Sequence, residues 1–289
     1  MPEIVIDSRI HDLGGGFEVG RVLPFSKRRM VGPFIFFDRM GPQDLQAPIP
    51  RKFDVRPHPH IGLSTVTYLF DGQMTHRDSL GVEQAILPGD LNWMTSGRGI
   101  SHSERFDGMR EKGGGMDGIQ AWVALPEGNE EDAPAFDHYD AAVLPSFTGT
   151  GVAGRIIAGS AYNLTSPAMT HSPLFYVDAS LQPGAFIEMP SGHPERAVYV
   201  AHGSIEVEGI QYNKGQMLVF AAGAAPAIKA LQASRLMLLG GEPLGPRHIW
   251  WNFVSSRKER IEQAKADWQA GKIMLPPLDN KEFITLPEV

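Results

Sequence analysis

Apolar and polar residues alternate in short runs along most of the 289-residue chain, and glycine or proline closes nearly every run. Side chains two apart in an extended strand share a face, so such runs predict strands with one buried and one open side. The pattern predicts strands over 3–6, 34–37, 64–70, 84–87, 91–94, 120–124, 174–177, 197–201, 205–207, 217–220 and 236–239. One stretch, "SSRKERIEQAKADWQAGK", has the helical period instead. There Ile261, Ala264 and Trp268 fall on one face, Ser256 and Glu259 form a capping box, and Gly271 ends the last turn. Many short strands and one helix predict an all-β sandwich or barrel architecture with a C-terminal helix.

The order of these signals recurs. In the first half "TVTYLFDG" ends at Gly72 and "LPGDLNWMTSG" runs to Gly97; in the second "RAVYVAHG" ends at Gly203 and "NKGQMLVFAAG" runs to Gly223. The step from Gly89 to Gly97 equals that from Gly215 to Gly223. An internal duplication follows, with one barrel in residues 1–140 and a second in 141–289 that also carries the helix.

The repeat acts as a control on the histidines. "RPHPHIG" places His58 and His60 on one face of an extended segment, and "GISHSE" does the same for His102 and Glu104. If the first strand continues unbroken, Val66, Tyr68 and Phe70 share the histidine face and line the barrel. Five and seven residues after Gly223, where His102 and Glu104 follow Gly97, the second half has Ile228 and Ala230. Near the first-strand position it offers only "SGHPER", with His193 and Glu195. A metal therefore belongs to the first barrel. His76 reads as either a partner behind the metal ligands or a surface hairpin residue, the latter preferred, and His11, His138, His171, His193, His202 and His248 as structural. Trp93, Trp122, Trp250, Trp251 and Trp268 read as packing residues.

Composition narrows the chemistry. The chain has no cysteine, which excludes thiolate ligands, a disulfide framework and a cysteine nucleophile; a metal would be held by nitrogen and oxygen. Three imidazoles and a carboxylate with open positions suit divalent iron, manganese, copper, nickel or zinc. With 26 basic and 33 acidic residues the net charge is -7, which argues against nucleic acid or anionic membrane as a partner. The short clusters Lys27-Arg28-Arg29 and Arg257-Lys258 read as solvated surface. Acids stand where a signal peptide would carry positive charge, and no apolar run reaches the roughly 18 residues of a membrane span, so the expected location is cytoplasmic.

The order His-x-His, strand, glycine, "PGD" and a second histidine after a glycine turn resembles the cupin superfamily. "RPHPHIGLSTVTYLFDG", "LPGDLNWMTSGRGISHSE" and "GEPLGPRHIWWNFVSS" together resemble the pirin family, over most of the chain from Phe34 to the helix. The resemblance implies a bicupin, two jelly-roll-like β-barrels side by side, with one divalent metal ion in the first. Fe2+ is the leading expectation, and Mn2+, Cu2+, Ni2+, Co2+ and Zn2+ are the alternatives. It implies His58, His60, His102 and Glu104 as ligands, Glu104 also as proton acceptor, and a metal-free second barrel. Some pirins resemble quercetin 2,3-dioxygenases, which open the heterocyclic ring of a flavonol with O2 and release carbon monoxide. Others imply a redox-sensitive iron regulator that binds a transcription factor or metabolic enzyme without turnover. The segment "PRHIWWNFVSS" suits one branch of the family better than another.

Overall fold

The computed structural model describes residues 1–13, 16–224 and 226–288. Every predicted strand segment coincides with an observed strand, with 84–87 running one residue past Ile86. Strands such as Met74–Asp78 and Val152–Ala161 escaped the pattern, the first because it is polar and the second because glycines interrupt it.

The chain forms two compact units, and neither is one continuous stretch. One unit, here the apolar unit, comprises Met1–Ile10, Gly20–Asp38 and Tyr139–Pro243; the other, the histidine unit, comprises His11–Val19, Arg39–His138 and Leu244–Val289. This partition by contacts differs from the expected division at residue 140 with the helix in the second barrel. Contacts explain it. Pro2–Asp7 pairs antiparallel with Gln216–Phe220, so the first strand belongs to the apolar unit. The helix Lys258–Gln269 buries Ile261, Ala264 and Trp268 against Ile61 and Phe253 of the histidine unit.

Each unit contains two principal sheets, and the histidine unit adds the two-stranded pair His248–Trp250 and Phe253–Ser255. In the histidine unit a four-stranded sheet runs in the order Val55–His60, Ile100–Arg105, Met74–Asp78, Glu83–Ile86. Its second sheet includes Leu91–Thr95, Leu63–Asp71, Gly114–Ala124 and Phe34–Leu45, in that order. The apolar unit repeats both arrangements: Phe186–Glu188, Ala227–Ala230, Ser204–Val207 and Ile210–Asn213 form one sheet, and Gln216–Phe220, Glu195–His202, Ser234–Gly241 and Leu174–Leu181 follow one another in the other. Equal strand order with equal sequence rank is the duplication expressed as topology. Gly89 and Gly215 even share a φ of +86°, a left-handed turn conformation that favours glycine.

One expectation is reversed. Gly62, with φ +68°, breaks the run between Val55–His60 and Leu63–Asp71, and these two strands join different sheets. The turn inverts the alternation beyond it. Leu69 packs with Met74, Phe106 and Met116 in the core of the histidine unit, and Thr65 stands opposite Trp122, whose ring meets His60. Thus Thr65, Thr67 and Leu69 share the histidine side, whereas Val66, Tyr68 and Phe70 occupy the other face.

The helix face and its end are as predicted, with Gly271 at φ +67° donating to Trp268 O. The capping box is absent. Arg257 precedes the first turn without a side-chain cap, and Ser256 gives both its N–H and its hydroxyl to the buried carboxylate of Glu130. The segment after the helix lies along the outer side of Ile100–Arg105. Ser101 Oγ donates to Met274 O, Ser103 Oγ to Asp279, and Arg105 to Asp279 and Glu282, while Ile284 N donates to Pro57 O. Among the described residues no helix is long and apolar enough to cross a membrane.

Candidate metal centre

The strand Ile100–Arg105 organises the site. On one side it pairs with Val55–His60, which sets His102 opposite His58 and Ile100 opposite His60. On its other side Asp78 stands opposite His102, and His76 opposite Glu104. Directly opposed residues of an antiparallel pair project to the same face. His58, His60, His76, Asp78, His102 and Glu104 therefore gather on one face, all of them buried. A register irregularity between Val55 and His58 takes up one extra residue on that strand, while Ile100–Arg105 stays in register with Met74–Asp78 on its other side.

The three expected histidines meet. Ring centroids are 4.9 Å apart for His58 and His60, 4.4 Å for His58 and His102, and 5.0 Å for His60 and His102. One nitrogen from each lies within 4.8 Å of the others.

Their hydrogen bonds decide which nitrogens face inward. A carbonyl oxygen can only accept, so the ring atom beside it must carry the proton. His58 Nδ1 donates to Arg56 O at 2.9 Å and His60 Nδ1 to Asn252 O at 3.1 Å. The lone pair is left on Nε2 in both rings. His60 Nε2 and His102 Nε2 are buried and have no hydrogen-bond partner. Burial pushes His58 down to about 4 and His60 and His102 well below the usual histidine range, with repulsion among the rings adding to the effect. Uncharged imidazoles that each bring one ring nitrogen within 4.8 Å of the others at a buried point fit a cation with affinity for nitrogen.

Glu104 is on the same face but outside this tight group. Its nearest approach is 3.9 Å, from Oε1 to His102 Nδ1, too long for a hydrogen bond. Burial pushes its carboxyl up to about 7.

His76 is not a surface residue. It is 3% exposed, stacks on Phe136 at 4.4 Å, and is hydrogen-bonded to both Asp78 and His102. The signal was present: "HRD" repeats the i, i+2 spacing of "HSE". Trp122 packs edge-to-face against His60, with ring centroids 5.2 Å apart.

The second barrel closes the same position with hydrocarbon. Ile187 stands opposite Ile228 there, as His58 stands opposite His102, and both lie in the apolar core. His193 is not the counterpart of the first histidine pair; it rests on Phe175 at 5.0 Å, outside the Phe186–Glu188 strand.

Known proteins share these features. A Caulobacter vibrioides protein described as pirin-like is 57% identical over 289 residues, covering all of both chains. The solved structure of a quercetin 2,3-dioxygenase from Acinetobacter baumannii matches with a TM-score of 0.91 and 32% identity, over 99% of this chain and 95% of its own. A bacterial pirin from Escherichia coli in complex with nickel(II) shares the fold, with a TM-score of 0.62 and 16% identity over 83% of this chain and 99% of its own. The family model described as pirin matches residues 16–123, and that of the pirin C-terminal cupin domain matches 176–274. With its duplicated barrels and its single three-histidine cluster among the described residues, the chain belongs to the pirin family.

Proposed function

We propose that the chain is a metal-dependent dioxygenase that opens the heterocyclic ring of a flavonol such as quercetin with O2, releasing carbon monoxide. His58, His60, His102 and Glu104 would hold one divalent ion, with Fe2+ first in order. The observation that carries this reading is a buried carboxyl beside three buried imidazoles, each with one ring nitrogen within 4.8 Å of the others. The ion, when bound, supplies Lewis acidity toward a phenolic oxygen and electron transfer toward O2. Burial raises the proton affinity of the Glu104 carboxyl in the metal-free protein, and beside a bound ion the same carboxylate would accept a hydroxyl proton from the substrate. The Trp122 ring beside His60 offers an aromatic wall to a planar substrate. The likeness to the A. baumannii quercetin 2,3-dioxygenase supports the substrate class.

The test is to load metal-free protein anaerobically with each of the six divalent ions, then add flavonol and oxygen. Flavonol bleaching with matched oxygen uptake and carbon monoxide release is expected with at least one ion. Tight metal binding without turnover for any ion or flavonol would refute the enzyme and leave a metal-dependent binding protein, to be probed by partner capture with reduced and oxidised iron.

A further inference from the structure

The three histidines are not held alike. His58 and His60 have their Nδ1 atoms fixed by main-chain carbonyls, whereas His102 Nδ1 faces another side chain, His76 Nδ1, at 3.3 Å. His76 Nε2 in turn lies 3.0 Å from Asp78 Oδ2. The other oxygen of Asp78 accepts the backbone N–H groups of Leu80 at 2.9 Å and Val82 at 3.2 Å, in the turn closed by Gly81. None of the three is solvated: His76 is 3%, Asp78 0% and His102 1% exposed.

We propose that Asp78 and His76 form a relay that fixes His102 with its proton on Nδ1 and its lone pair on Nε2, and so sets the strength of His102 as a metal ligand. The proposal rests on the three-histidine metal site. The logic runs from the anchored end. Asp78 accepts, so His76 carries its proton on Nε2 and presents the Nδ1 lone pair; His102 must then donate from Nδ1, which bares Nε2. A carboxylate behind a histidine also raises the electron density of the ring it supports, a common arrangement behind metal-binding imidazoles. Asp78 and His76 are thus positioning residues, which act on the ion only through His102.

The apolar unit supplies an independent argument. Asp78 and His76 stand opposite His102 and Glu104. At the equivalent places Val207 stands opposite Ile228, and Ile205 opposite Ala230. The barrel that has hydrocarbon at the ligand positions has hydrocarbon at the relay positions too. A His–Asp pair serving only its hairpin turn has no reason to vanish with the ligands.

Asp78→Asn keeps an oxygen for the Leu80 and Val82 amides but turns an N–H2 toward His76. His76→Phe keeps the stack on Phe136 and removes the relay. Co2+ affinity by competition titration and the His102 tautomer by long-range 1H–15N correlation on metal-free protein are measured for both variants. In the parent His102 is expected as the Nδ1–H form. Asp78→Asn shifts it to Nε2–H, and either variant weakens Co2+ binding about 10- to 100-fold at unchanged stoichiometry. The double variant binds no more weakly than His76→Phe alone, because the two residues act as one chain. An unchanged His102 tautomer in both variants, or Co2+ affinities within about threefold of the parent, overturns the proposal. If Asp78→Asn does not fold, His76→Phe carries the test. Failure of the metal reading looks different: the parent itself takes up no Co2+, while the tautomer shift still reports the relay.

Discussion

Metal uptake is expected to release protons, and the amount follows from which ligands still carry one. A ligand must give up its proton to coordinate. His58, held near 4 by burial, is already neutral at pH 6 and above, and His60 and His102 are lowered by the same cause. Glu104, raised to about 7, is the group that remains partly protonated. If it ligates as a carboxylate, uptake of one ion releases about 0.9 proton at pH 6, 0.5 at pH 7 and 0.1 at pH 8. Titration calorimetry in buffers of different ionisation enthalpy measures this directly. Glu104→Gln should bring the release close to zero at every pH. The same shift has a second readout in metal-free protein. A carboxyl whose folded pKa is raised from 4.5 to about 7 favours the folded state fully below pH 4.5, and that advantage is lost as pH rises through 7. The loss amounts to about 3 kcal/mol at pH 8. Glu104→Gln should therefore be the more stable protein at pH 8 and gain nothing at pH 4. Proton release that is flat from pH 6 to 8, or that survives in Glu104→Gln, would refute the assignment of Glu104 as a buried ligand.

Two further outcomes test the geometry. His58→Ala, His60→Ala and His102→Ala should each lose most of the bound metal by elemental analysis, whereas His193→Ala, in the other barrel, should retain it; equal content in all four would remove the site. At Gly62 an added Cβ would sit 2.1 Å from Val254 O with φ at +68°. Gly62→Ala should cost about 1–3 kcal/mol in denaturant unfolding and, by displacing the turn after His60, lower metal occupancy as well.

The site could be read in the sequence wherever chemistry repeats at a spacing of two. His58 with His60, and His102 with Glu104, are local statements about one strand, and extended geometry alone puts each pair on one face. Ile228 and Ala230 were equally plain once the glycine turns had been aligned. What stayed hidden depends on pairing between distant segments. His76 looked peripheral because nothing in "MTHRDS" says that its strand lies beside His102 rather than at a rim. The inverted face beyond Gly62 was invisible because alternation carries no mark of the sheet to which a strand belongs. Ser256 and Glu259 met the capping rule, yet a buried carboxylate at Glu130 claimed the serine instead. The interleaved units were likewise beyond reach, since the partner of Pro2–Asp7 lies more than two hundred residues along the chain.

That interleaving also bears on when the metal site is finished. His58, His60 and His102 are all made early, but their unit also needs residues 244–289, which supply the Asn252 carbonyl to His60 and the segment bonded to Ser101, Ser103 and Arg105. At about 5–20 residues per second, a ribosome needs roughly 7–30 s to travel from His102 to residue 244. Throughout that interval the nascent histidine strands lack part of their support while the entire second barrel is being synthesised. The full set of contacts that supports these histidines is therefore available only near the end of translation, after the apolar unit has all of its residues.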